Sequence, residues 1–350
     1  MKVLFLYTEL ADYFLKCCAE LAKTAEVHVI RWPVNKEAPF SFDEKTPVKL
    51  YNRRDYDLEQ MHKLAAEIQP DILICSGWID RDYLKVARRY YKKIPTVVTC
   101  DTHWKGSLKQ YLALFLSRFF LLNTFSHAWV PGKSQYRYVR KLGFKNAAIR
   151  EGFYCCDLPK FNAVYERIKP EKEKNIPKRF IYVGRYYEFK GLTDLWEAFS
   201  QLQQESPSEW ELWCLGTGSL DPVRHPAIKH HGFVQPADLD PLLAETGVFV
   251  LPSRFEPWGV VVQEYAAAGF PLILSDAVGA KDRFLEPGQN GYIFEKKNIT
   301  ALKEVLKKIT KLSPKDLLLM SEKSHRLAQQ INPAQWAGTV SEIYDGFRKK

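Results

Sequence analysis

Short apolar runs alternate with stretches of helical spacing along most of this chain, and the alternation begins twice. In the first half, Val3–Tyr7, Val27–Ile30, Asp71–Cys75, Thr96–Cys100, Ala128–Val130 and Ala147–Ile149 are apolar or β-branched. Between them, Asp12–Lys23, Leu58–Ile68, Tyr83–Tyr91 and Ser107–Leu122 carry apolar residues at helical intervals. Strands that are apolar on both faces, each followed by a helix, predict a parallel sheet covered on both sides.

A charged, proline-bearing stretch, Leu158–Arg179, interrupts the pattern. The alternation then restarts, with strands expected at Phe180–Val183, Trp210–Leu215, His231–Val234, Val248–Leu251 and Pro271–Leu274. Helices are expected at Leu192–Gln203, Leu239–Glu245, Gly259–Ala268, Ile299–Thr310 and Pro314–Gln330. The expected class is α/β, with two doubly wound Rossmann-like domains facing across a cleft. The expected boundaries are 1–165 and 166–332, with a C-terminal helix, 333–350, packing back on the N-terminal domain. A chain of 350 residues suits two domains of about 150 each.

With 46% hydrophobic and 26% charged residues, the chain is neither disordered nor fibrous. Its first apolar run ends at Thr8 and Glu9, which reads as a strand and not a signal peptide. Tyr111–Leu122, broken by Ser117 and Arg118, is too short for a spanning helix. Seven cysteines with two vicinal pairs and no C-x-x-C give neither a disulfide framework nor a zinc site. The expectation is a reduced, cytoplasmic protein.

The net charge of +10 is unevenly placed. Residues 81–150 hold fifteen Lys or Arg against Asp82 and Asp101, a local charge of +13, so the rest sums to −3. A confined basic field calls for a polyanionic neighbour. Its interleaved aromatics, Tyr90, Tyr91, Trp104, Tyr111, Phe115, Phe119 and Phe120, favour an anionic membrane surface over a nucleic acid. The plainer alternative is a solvated basic face above a buried helix.

Two turns carry candidate chemistry. In Tyr182-Val183-Gly184-Arg185…Lys190-Gly191, a strand ends in glycine and a helix opens six residues later, at Lys190-Gly191. Arg185 and Lys190 there suit a diphosphate, though two surface cations beside a turn would read the same way. The second turn, Pro252-Ser253-Arg254-Phe255-Glu256-Pro257-Trp258-Gly259, leads into a helix beginning Val260-Val261-Val262-Gln263-Glu264. Amides near Gly259 and Val260 would face an anion, and the Glu264 carboxylate could accept from a ribose diol.

These motifs, in the order Gly184-Arg185…Lys190-Gly191, Leu215-Gly216-Thr217-Gly218, His231-Gly232-Phe233-Val234 and Glu256…Glu264, resemble the retaining glycosyltransferases of GT-B fold, family 4 (glycosyl transferases group 1). The resemblance covers most of Phe180–Phe294 and is weaker in the N-terminal half, around Thr99–His103 and Gly152–Phe161. It implies that Arg185 and Lys190 hold the donor diphosphate, Glu256 contacts the donor sugar and Glu264 binds ribose hydroxyls. Gly184, Gly216, Gly259, Val260 and Val261 would also line the donor site, with Trp258 assigned weakly. His103 would approach the donor sugar from the N-terminal domain. The resemblance further implies a UDP- or GDP-linked sugar donor, no metal and no cofactor. The acceptor would be a glycan or lipid-linked molecule in cell-surface polysaccharide synthesis, at the inner membrane face.

Three departures stand out. No glycine follows the first strand, where Thr8-Glu9-Leu10 stands; Tyr265 replaces the usual alanine after the second glutamate; and Glu151 replaces a common asparagine. The competing readings are another GT-B enzyme (an epimerase or phosphorylase), a non-catalytic scaffold, and a two-domain ligand-binding protein.

Overall fold

A computed structural model describes residues 1–33 and 46–349. The chain forms two compact units, Met1–Asp157 with Ile331–Lys350, and Leu158–Gln330. The first contains β1 (Lys2–Tyr7), α1 (Asp12–Leu21), β2 (Glu26–Arg31), β3 (Lys49–Asn52), α2 (Leu58–Ile68) and β4 (Ile72–Ser76). It continues through α3 (Arg81–Tyr90), β5 (Thr96–Thr99), α4 (Leu108–Ser117), β6 (His127–Val130), α5 (Lys133–Lys141) and β7 (Ile149–Glu151). Its seven strands run parallel in the order β3-β2-β1-β4-β5-β6-β7.

The second unit opens with α6 (Leu158–Lys174), β8 (Arg179–Val183), α7 (Leu192–Glu205), β9 (Glu211–Leu215) and β10 (Ile228–Gly232). Then follow α8 (Asp240–Ala244), β11 (Val248–Leu251), α9 (Val260–Ala267), β12 (Leu272–Ser275) and α10 (Lys281–Phe284). The unit closes with β13 (Gly291–Phe294), α11 (Ile299–Thr310) and α12 (Pro314–Ala328). Its six parallel strands are ordered β10-β9-β8-β11-β12-β13. Both sheets therefore reverse direction once, between β1 and β4 and between β8 and β11. That is the doubly wound arrangement expected from strands apolar on both faces.

The last helix, α13 (Pro333–Arg348), belongs to the first unit. Trp336 makes the attachment. Its ring lies 4.9 Å from that of Trp129 and 5.8 Å from that of Phe14, and its indole N–H donates to the Phe153 carbonyl at 2.5 Å. Asn332 and Gln335 form a reciprocal capping box that starts the helix there.

The units part at 157/158 and 330/331, not at the expected 165/166 and 332/333. Leu158–Lys174 is one helix of the second unit despite Pro170. Phe161, Val164, Tyr165 and Ile168 are buried from it, and the Tyr165 ring stacks on His325 at 3.8 Å. Burial along one face outweighs the hydrogen bond that Pro170 cannot make. The helix expected over Ser107–Leu122 ends at Ser117, whose hydroxyl lies 2.8 Å from the Leu142 carbonyl oxygen. Sequence reading missed β3, α5, α10 and β13. The first is a short, polar edge strand, and in α5 (KSQYRYVRK) only Gln135, Tyr138 and Val139 are buried, too few to print a period.

Among the described residues no helix is long and apolar enough to cross a membrane, and no group of three His, Cys, Asp or Glu stands ready for a metal ion. All seven cysteines are buried thiols outside any disulfide.

Candidate functional site

The second unit's sheet reverses between β8 and β11. β8 continues through α7 to β9 on one side, and β11 through α9 to β12 on the other. The connections leaving their carboxyl ends run to opposite sides of the strand order, and this switch point is where doubly wound sheets take ligands. Both turns singled out by sequence stand here.

The first turn is held by close backbone packing. Gly184 N–H donates to Leu215 O at 3.0 Å, Tyr186 N–H to Thr217 O at 2.8 Å, and Gly216 N–H to Gly232 O at 2.7 Å. A Cβ on Gly216 would lie 2.0 Å from the Gly184 carbonyl oxygen, and one on Gly218 would lie 2.5 Å from that of Tyr186. The Gly-Thr-Gly run is thus required by the ribbon beside it. The Tyr186 ring is buried, and its hydroxyl lies 3.0 Å from His230 Nδ1. His230 Nε2 faces the Val223 carbonyl at 3.1 Å, so the Nε2–H tautomer satisfies both contacts. Burial lowers the His230 pKa, keeping the ring neutral.

One helical turn, Glu188–Lys190, then places Lys190, and Gly191 adopts φ +68° to enter α7. A side chain at Gly191 would put its Cβ 2.1 Å from the Pro252 carbonyl oxygen, so the two turns touch through this glycine. They are also tied by hydrogen bonds, Arg254 N–H and Phe255 N–H both donating to Phe189 O at 2.8 and 3.1 Å. The Arg254 guanidinium clamps Asp194 on α7 with two bonds, 2.9 and 2.6 Å, and reaches Glu188 at 2.9 Å. Those carboxylates hold Arg254 further into its charged form.

The clamp brings Lys190 Nζ to 2.5 Å from Glu256 Oε2, with both side chains largely buried (15% and 12% exposed). Ser253 Oγ donates to the same carboxylate oxygen at 3.3 Å, and the Glu256 carbonyl accepts from Gly279 N–H at 3.0 Å. Gly259, at φ +94°, leaves room for the glutamate stem; a Cβ there would meet Glu256 Cγ at 3.1 Å. Arg185 is fixed through its carbonyl, which accepts from the Tyr182 hydroxyl at 2.9 Å, and its guanidinium lies 5.6 Å from the Tyr187 ring centroid. Burial pushes the Tyr182 phenol up, Glu256 pushes it further and Arg185 pulls it back. Both charges are thus within electrostatic reach of one hydroxyl.

Gly184, Arg185, Lys190, Gly216, Glu256, Gly259, Val260, Val261 and Glu264 therefore all lie on the loops and helix start at the ends of β8, β9 and β11. Glu264 is half-buried in the second turn of α9. Trp258 is a correction: its indole is buried (4% exposed) and packs edge-on to Phe284, so the ring is core and not a sugar platform. His103 belongs to the other unit, in the segment from β5 to α4, where its carbonyl accepts from Gln110 Nε2 at 2.8 Å. Sequence reading missed the Arg254–Asp194 clamp, Tyr182 and the Tyr186–His230 pair. Only Arg254 carried a signal, as a cation inside the quoted turn.

Residues 177–311 match the family described as Glycosyl transferases group 1. The second unit is a group 1 glycosyltransferase domain. Over 142 residues, 38% of this chain and 34% of the relative, the chain is 31% identical to a glycogen synthase of Mycobacterium tuberculosis. Over 274 residues, 73% of this chain and 70% of the relative, it is 26% identical to the lipopolysaccharide 1,6-galactosyltransferase of Escherichia coli. The match thus spans only about a third of the glycogen synthase. Among solved structures, sucrose-phosphate synthase from Thermosynechococcus elongatus matches at TM-score 0.72 and 17% identity over the whole of both chains. HepE of Anabaena in complex with UDP and glucose matches at TM-score 0.71 and 15% identity, over 98% of each. The fold is the two-domain α/β arrangement of GT-B proteins, and the glycosyltransferase domain holds Arg185, Lys190, Glu256 and Glu264.

Proposed function

We propose that the chain is a retaining glycosyltransferase. It moves a sugar from a nucleotide-sugar donor to a glycan or lipid-linked acceptor in cell-surface polysaccharide synthesis. The observation that carries this reading is the Lys190–Glu256 pair at the sheet's switch point, beside Arg185. Without ligand the two charges neutralise each other. A diphosphate entering the crevice competes for the Lys190 ammonium and frees Glu256 to accept hydrogen bonds from sugar hydroxyls.

When the sugar C1–O bond breaks, negative charge grows on the departing phosphate. Lys190 and Arg185 stand preorganised for it, and the first amides of α9 add a positive helix end. The acceptor hydroxyl attacks C1 on the face the phosphate leaves, and its proton passes to a phosphate oxygen. No metal is needed where two cations do this work, and chelator should leave the rate unchanged. His103 is assigned to the donor sugar. Glu264, at the second turn of α9, is assigned to the ribose hydroxyls.

UDP is the preferred nucleotide, supported by HepE, solved with UDP and glucose, and by the Escherichia coli trehalose-6-phosphate protein bound with UDP-2-fluoro glucose. The lipopolysaccharide galactosyltransferase likeness supports a glycan or glycolipid acceptor. The basic segment 81–150 adds adsorption to an anionic membrane surface, at the inner face of the cell membrane.

The test is thermal stabilisation by UDP, GDP, ADP and their sugars, on wild type and on the double variant Arg185→Ala, Lys190→Ala. At 100 times its dissociation constant a ligand adds about 2.7 kcal/mol to wild type. One nucleotide should stabilise wild type and leave the double variant unmoved. Stabilisation of neither, or of both equally, removes the site from the donor.

A further inference from the structure

Helix α4 is built inside out. The residues it buries are polar, Gln110 and Ser117, and these anchor it. Gln110 donates to His103 O at 2.8 Å and accepts from Lys105 N–H at 2.7 Å, while Ser117 Oγ sits 2.8 Å from Leu142 O. Leu114 packs against the core, and the other large apolar residues face outward. Leu108, Tyr111, Leu112 and Phe115 on the helix, and Phe119 and Phe120 just past it, are each more than half exposed. They are six of the eleven large apolar side chains exposed among the described residues, so the exposure is concentrated and not scattered. Positions 108, 111, 112, 115 and 119 stand at i, i+3, i+4, i+7 and i+11, which makes one continuous stripe.

The rim of the stripe is basic. Lys105, Lys109 and Arg118 flank it in sequence and are exposed. Lys141 from α5 lies 5.2 Å from the Trp104 ring centroid, and Trp104 meets Tyr111 edge-on at 5.0 Å, which brings a fourth cation to the patch. From Tyr83 to Arg150 the only acid is Asp101. A second copy of the chain docked on this face by two-fold symmetry would set like charges against each other. Anionic lipid offers apolar chains to the stripe and phosphates to the rim. At ten residues, α4 is about 15 Å long, right for lying in the interface and too short to span it.

We propose that α4 and the turn after it are a membrane wedge. Tyr111, Phe115 and Phe119 enter the headgroup–acyl boundary of an anionic bilayer, and Lys105, Lys109, Arg118 and Lys141 bind its phosphates. The proposal rests on the membrane adsorption proposed above and adds insertion to it, at a named element.

Two measurements on the full chain separate these. Co-sedimentation with phosphatidylcholine vesicles, with and without phosphatidylglycerol, reads adsorption. The surface-pressure rise of a mixed monolayer of the same lipids reads insertion. Wild type should sediment with the anionic vesicles and raise the pressure. Phe115→Ser with Phe119→Ser should bind at least about tenfold more weakly and raise no pressure. Both positions are exposed, so its thermal unfolding should match wild type. Lys105→Gln, Lys109→Gln and Arg118→Gln together should lose binding at moderate salt. Wild type that sediments, is released by salt and raises no pressure would overturn the wedge and leave adsorption standing. Failure to sediment overturns both. Self-association of wild type that the two serines abolish, without vesicle binding, would make this a protein interface and overturn the proposal.

Discussion

Lys190 and Glu256 come from turns 66 residues apart and meet at 2.5 Å, both largely out of water. The pair has separable halves. Lys190→Met leaves the Glu256 carboxylate with the Ser253 hydroxyl at 3.3 Å, and should destabilise the ligand-free protein by about 1–3 kcal/mol in denaturant unfolding. It should also abolish stabilisation by the nucleoside diphosphate. Glu256→Gln keeps an acceptor for Lys190 and releases its charge, so diphosphate binding should persist or tighten. Turnover should fall about 100-fold, roughly 2.7 kcal/mol of lost transition-state contact. Diphosphate binding lost in Glu256→Gln and kept in Lys190→Met would reverse the assigned roles.

Two glycines give a matched pair. At Gly191, φ is +68° and a Cβ would stand 2.1 Å from the Pro252 carbonyl oxygen, so Gly191→Ala must push the two turns apart. It should cost about 2–4 kcal/mol and weaken diphosphate binding, because Lys190 precedes it directly. At Gly338, inside α13, a Cβ meets nothing within 4 Å. Gly338→Ala should stabilise by about 0.5–1 kcal/mol without touching ligand binding. Equal effects from the two would mean that the turn contact is not rigid.

The sheets were legible because their strands are apolar on both faces, as at Val3–Tyr7 and Val248–Leu251, and are too short for buried helices beside the longer stretches of helical spacing. Lys190 and Glu256 were legible because glycine marks both turns. The Arg254–Asp194 clamp was not: it joins residues 60 apart, and within the helix expected at Leu192–Gln203 Asp194 reads as one more polar position. Trp258 misled because an aromatic between proline and glycine looks exposed, whereas Phe284, 26 residues on, supplies its pocket. Periodicity also found the stripe on α4 without its direction. A hydrophobic stripe marks one face of a helix, and only the partners of Gln110 and Ser117 show that the polar face points in.

Lys172 on α6 predicts a pH dependence in the stability of the glycosyltransferase domain. Its side chain is buried, its ammonium sits 3.5 Å above the Phe270 ring centroid, and no hydrogen-bond partner reaches it. Burial lowers its pKa from 10.5 to about 7. Below pH 7 both folded and unfolded chains are protonated there, and the folded one carries the full cost of a buried charge. Between pH 7 and 10.5 the unfolded chain binds the proton and the folded chain does not, so stability rises with pH. Above that range the penalty is gone. Contact with the Phe270 face offsets part of it. Lys172→Met keeps the volume and removes the charge, so it should stabilise the domain by about 2–3 kcal/mol at pH 6. The gain should shrink steadily toward pH 10, read as the difference between urea midpoints of the domain's transition at pH 6, 8 and 9.5. A gain that stays constant with pH would mean that Lys172 holds its charge at no cost, through an arrangement other than the ring beneath it.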